Sequence, residues 1–120
     1  MKYDLEIRTE QFALDVLDFA QSIPSISFNK NSVEQLIRSS GSVGANYCEA
    51  TEAESKKDFI HKISLSKKEV KESRYWLKLL ARTNPDLRAE IEVLINEARE
   101  LLFIFSKIIK SSKGGKFIEN

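Results

Sequence analysis

The chain has 120 residues, 42% of them apolar and 31% charged, with a formal net charge of +1; that is enough for one domain with its own core and too balanced for a polycation. A single cysteine excludes an internal disulfide and fits a reducing compartment. No apolar run approaches the ~18 residues of a membrane span, and MKYDLEIRTE places acids where a signal peptide has its apolar stretch, so the expected location is the cytoplasm, with no membrane partner.

With only two prolines and four glycines, long uninterrupted helices are expected. The first runs roughly from Arg8 to Ile23: Phe12, Val16, Phe19 and Ile23 repeat at helical spacing, Leu14 and Leu17 widen the stripe, and Pro24 closes it. SIPSISFNKN then reads as a loop. The second helix begins after Asn31 or Ser32, either of which can cap a helix start. Its stripe is Val33, Leu36, Ser40, Val43 and Tyr47, with mostly small residues alongside at Ile37, Gly41, Gly44 and Cys48. Each mid-helix glycine costs about 1 kcal/mol relative to alanine, which close approach of another backbone would offset.

The third helix opens near Ser55, with Asp58 completing a capping-box-like pair. It buries Phe59, Ile63, Ser66, Val70, Ser73, Leu77 and Leu80 and ends at Asn84-Pro85. Pro85-Asp86 opens the fourth, whose Leu87, Ile91, Leu94, Ala98, Leu101, Phe105 and Ile108 alternate by four and three, a coiled-coil-like seam. A second line, Ile95, Leu102 and Ile109, widens that arc until it calls for cover on two sides, by its own bundle and by a second subunit. Short loops between long amphipathic helices predict an all-α, antiparallel up-down-up-down four-helix bundle, one domain over residues 1–113 with a flexible tail over 114–120.

The near-zero net charge hides a segregation. Residues 55–83 carry nine Lys or Arg against three Asp or Glu, +6, while no other segment departs from neutrality by more than three charges. On a helical wheel Lys67, Lys71, Arg74 and Lys78 form one line about 90° from the core stripe, with Glu69, Glu72 and Trp76 on the opposite flank. Such a line can follow a phosphate backbone; it can equally be a solvated face. On helix two, Ser39, Ser42, Asn46 and Glu49 make a polar stripe beside the core. Either it is solvated, or Asn46 and Glu49 reach the neighbouring helix near Glu69, Glu72 or Trp76 and fix the register of the pair.

Helices two and three carry a recognisable signature: Arg38-Ser39, Ser42-Val43, Asn46, Glu49, the Ser-Lys-Lys-Asp-Phe opening from Ser55 to Phe59, and Lys-Glu-x-x-Glu-Ser from Lys68 to Ser73 before Tyr75-Trp76-Leu77. It resembles the 23S rRNA intervening-sequence proteins, specifically between Gln35 and Leu80 and more weakly elsewhere. One departure is Ala50, where many members have glycine. The resemblance implies a bacterial homopentamer of four-helix bundles arranged as a barrel. It also implies kinship with the accessory protein of diversity-generating retroelements, which binds a reverse transcriptase and nucleic acid through a basic surface. That branch is strongly basic; here the cations are concentrated on helix three.

Catalysis is not expected, nor a cofactor. Carboxylate-bridged metal sites in bundles need Glu-x-x-His pairs; the one histidine, His61, lies among cations and reads as solvent-facing, and Glu69 with Glu72 alone makes no metal site. Cys48 reads as a packing thiol, and no glycine-rich phosphate loop is present. The expected protein is a non-catalytic homo-oligomer acting as a nucleic-acid or ribonucleoprotein accessory factor. Its partners would be RNA or DNA together with a reverse transcriptase or ribosomal component, contacted by Lys67, Lys71, Arg74 and Lys78. The structural or interface network would be Arg38, Ser39, Ser42, Asn46, Glu49, Glu69, Glu72 and Trp76. The alternative is a scaffold oligomer that binds a protein and no nucleic acid.

Overall fold

The structure, a computed structural model, describes residues 4–116. Four α-helices follow one another: α1 (Leu5–Ser22), α2 (Ser27–Thr51), α3 (Lys56–Thr83) and α4 (Arg88–Ser111). A 3-10 turn, Pro85–Leu87, leads into α4, and a π-helical turn, Ser112–Lys116, follows it. Of the tail expected over 114–120, residues 117–120 lie outside the described residues.

Cross-helix pairs give the direction of packing. Ser39 meets Ser73, the carbonyl of Val43 accepts from Ser66, and Glu49 meets Lys62. As residue numbers rise along α2 they fall along α3, so the two run antiparallel. α1 packs beside α2, and α4 beside α3 and, over a shorter stretch, beside α1. This is an antiparallel four-helix bundle, with α1 and α3 at opposite corners.

The core holds most of the expected stripe residues: Phe12, Val16, Phe19 and Ile23 from the α1 stripe, Leu36 and Val43 from α2, Ile63, Val70, Leu77 and Leu80 from α3, and Ile91, Leu94, Ala98, Leu101 and Phe105 from α4, while Val33, Tyr47, Phe59, Leu87 and Ile108 are partly buried against it. Leu14 and Leu17 do not widen the α1 stripe; they face outward, because a residue two places from a buried one lies about 160° around the helix. The Ser55 hydroxyl accepts from the Asp58 amide at 3.0 Å and starts α3 as expected.

α2 starts at Ser27, earlier than the caps at Asn31 or Ser32 suggested. The reason is tertiary. Asn29 is buried and exchanges two amide hydrogen bonds with Asn84, at 3.0 and 2.9 Å, while donating to the Pro24 carbonyl and accepting from the Thr83 hydroxyl. That pairing ties the start of α2 to the end of α3 and satisfies polar groups that would be costly if buried alone.

The two α2 glycines differ. A Cβ at Gly41 would meet nothing within 4 Å, whereas one at Gly44 would lie 3.0 Å from Oγ1 and 3.3 Å from Cβ of Thr9 on α1. Close approach therefore explains Gly44 alone. Thr9 is buried and cannot give way easily, since its hydroxyl donates to the Leu5 carbonyl at 2.6 Å. Gly41→Ala should raise stability by about 0.5–1 kcal/mol through helix propensity, and Gly44→Ala should lower it by about 1 kcal/mol or more through overpacking. Urea unfolding of the two variants gives the comparison.

Candidate functional site

α3 is held on one side by α2, and the contact is polar as well as apolar. Ser39 and Ser73 are buried and share a hydrogen bond of 2.8 Å, and the buried Ser66 hydroxyl donates to the Val43 carbonyl at 2.9 Å. Small side chains at these places let the two backbones approach, and the hydroxyls find partners across the gap. No buried side-chain nitrogen or oxygen among the described residues lacks a partner.

At the rim of this seam Arg38 reaches across from α2. Its guanidinium donates to Glu72 and, at 3.4 Å, to Glu69, and its Nε donates to Gln35 at 3.2 Å. The Trp76 indole N–H donates to the same Glu72 carboxylate at 3.0 Å, and the ring stands edge-on to Tyr75 with centroids 4.9 Å apart. Arg38, Glu69, Glu72 and Trp76 thus form one cluster, and Ser39 with Ser73 lies just inside it.

The remaining stripe residues are placed differently from expectation. Asn46 donates to the carbonyl of Ser42, and Ser42 to that of Arg38, so both turn back onto their own helix. Glu49 does cross to α3, but to Lys62 at 2.7 Å and not to the Glu69–Trp76 cluster. The antiparallel register explains this: each turn toward the end of α2 moves its partner one turn toward the start of α3. Lys62 was missed by the sequence reading, although opposite charges on adjacent helices near a short connection are its signal.

The cations occupy the other flank of α3. Lys71 and Lys78 are exposed, and Lys67 and Arg74 are half-buried at the edge of the bundle. None of the four joins an ion pair among the described residues, whereas the acids Glu69 and Glu72 of the same helix are taken up by Arg38. Lys67 and Lys71, with Ser64 and Lys68, line a shallow concavity of about 280 Å³. A larger one, about 380 Å³, lies at the α1–α2 corner among Ile23, Pro24, Ile26 and Val33, with no catalytic grouping in its lining. Cys48 is exposed and does not pack as expected, and His61 faces solvent. Among the described residues no cluster of three potential ligands could hold a metal, and no helix is long and apolar enough to cross a membrane.

A four-helix bundle with a serine-lined seam and a cationic rod at one corner defines the architecture. The chain belongs to the 23S rRNA-intervening sequence protein family, whose model matches residues 2–107. A crystal structure of a protein of unknown function from the S23 ribosomal protein family of Bacteroides thetaiotaomicron is similar, with 32% identity and a TM-score of 0.76. The match covers 88% of this chain and 97% of that one. No curated protein matches the chain.

Hydrogen bonding from Trp76, opposed by partial burial and reinforced by Arg38, holds the Glu72 carboxyl below the ordinary glutamate range. A carboxyl lowered on folding stabilises the fold above its unfolded-state value, and that contribution is lost as pH falls through the lowered one. Trp76 is the single tryptophan, so its fluorescence should titrate below the ordinary glutamate range, and Glu72→Gln should abolish that step.

Proposed function

We propose that this protein is a non-catalytic, cytoplasmic homo-oligomer, pentameric as its resemblance to the family implies, that serves as an accessory factor to a nucleic acid or ribonucleoprotein. RNA is the favoured ligand, and a ribosomal component or a reverse transcriptase the favoured protein partner. Lys67, Lys71, Arg74 and Lys78 contact phosphates without reading sequence. Support comes from the family's name, from the ribosomal-protein family of the similar structure, and above all from the distribution of charge on α3.

That distribution is the observation on which the proposal rests. Of the three acids of α3, Glu69 and Glu72 lie on the α2 flank and are held by Arg38, and Asp58 sits in the first turn, away from the cation line. The cation line has no ion-pair partner among the described residues, and its members fall at spacings of four, three and four on a helix of 28 residues. From Lys67 to Lys78 the line is about 16.5 Å long at 1.5 Å per residue, the reach of about three phosphates of an extended strand. Repetition of the line around an oligomer would add the fields of the copies.

Reversing Lys67 and Lys71 to Glu should abolish binding of a short single-stranded RNA without changing the melting temperature. For the unmodified protein, the logarithm of affinity should fall with the logarithm of salt with a slope of about −3 per subunit if all four cations engage. Binding that ignores salt or the reversal would refute the assignment. Absence of RNA binding, with recovery of a protein partner after nuclease treatment, would favour a scaffold role.

A further inference from the structure

Among the outward faces of the bundle, which include Val93 and Phe103 on α4, those of α1 and α3 are opposite in charge. On α1, Ile7, Leu14 and Leu17 recur at spacings of seven and three on the side away from the core, and are 63%, 46% and 42% exposed. Exposed Glu6, Glu10, Asp15 and Asp18 surround them. The one cation of α1, Arg8, is turned sideways, to Glu97 at 2.7 Å and Glu100 at 2.6 Å on α4. On α3, His61, Lys68, Tyr75 and Arg82 fall seven residues apart on the side opposite the buried stripe, with Leu79 beside Tyr75. All five are exposed, and none joins an ion pair among the described residues. Seven-residue recurrence is the spacing of a seam that meets another helix.

Accepting the homo-oligomer reading above, we propose that subunits join head to tail, the acidic seam of α1 on one copy lying against the basic outer seam of α3 on the next. Pairing α1 with α1 sets four acids against four, and pairing α3 with α3 sets cation against cation; like charges across an interface are costly. Only the unlike pairing matches apolar with apolar and acid with base. α1 and α3 stand at opposite corners, so one subunit offers both outer faces at once. Such an interface is heterologous and propagates around a ring or along a filament. Lys67, Lys71, Arg74 and Lys78 flank this seam at the joint, so a strand of nucleic acid could run from copy to copy.

The test is molecular mass in solution at micromolar concentration, without nucleic acid, for the unmodified chain and two surface variants. Glu10→Lys with Asp18→Lys spoils the α1 face, and Lys68→Glu with Arg82→Glu spoils the α3 face. Each should fall from an oligomer to the 13.7 kDa monomer, with its helical circular dichroism and melting retained. Mixed together they should regain an oligomer, because the two intact faces pair with each other and so do the two reversed ones. All four changes in one chain should restore the oligomer. The neutral variants Leu14→Gln and Tyr75→Gln should weaken assembly at least tenfold. Unchanged masses, a mixture that stays monomeric, or dissociation by the α1 changes alone would overturn the face assignment and leave the phosphate-binding reading standing. A monomeric unmodified chain would overturn this proposal and the homo-oligomer reading together.

Discussion

Once Ile63, Ser66, Val70, Ser73, Leu77 and Leu80 are buried, α3 is no longer free to turn about its axis. Rotation by one residue's angle would bring aliphatic side chains worth about 1.5–3 kcal/mol each back to water. It would also draw Lys67 or Arg74 into the interior, where an unpaired charge is costlier still. Everything else that α3 does follows from this fixed rotation. One flank faces α2, the other looks away from it, and the charges on the two flanks have different fates.

The α2 flank is where opposite charges meet. Arg38 holds Glu69 and Glu72, Trp76 adds a hydrogen bond to Glu72, and Lys62 answers Glu49 nearer the α2–α3 connection. As partly exposed pairs these contribute modestly to stability; their larger effect is on register and on charge. By holding Glu69 and Glu72, Arg38 leaves the far flank of the helix positive. A chain with almost no net charge can in this way present a strongly one-signed surface, which its overall composition conceals.

Much of the fold was legible because burial follows a period. The central residues of the four stripes, the Ser55 cap and the proline-led turn into α4 come from local spacing and local chemistry, and the structure has them. What was not legible depends on contacts distant in sequence. Asn29 reads as a loop residue until Asn84, 55 positions on, gives its amide a buried partner. Gly41 and Gly44 look alike in sequence and differ only because Thr9 lies over one of them. For the candidate site, helical geometry separated the cation line from the Glu69–Trp76 flank, but it could not tell which residue of α2 would reach that flank. Arg38 does so because its long side chain spans the rim, whereas Asn46 is short enough to satisfy itself on its own backbone.

The central claim is that the cation line of α3, Lys67, Lys71, Arg74 and Lys78, is free of ion pairs within the subunit and available to phosphates. Lysine acetylation followed by mass spectrometry, with and without a short RNA, tests this most directly. The account predicts that Lys67, Lys71 and Lys78 react readily in the free protein and are protected together by RNA, while Lys30 and Lys110, on other helices, are labelled equally in both states. Equal labelling of all five, or resistance of the three α3 lysines before RNA is added, would contradict it.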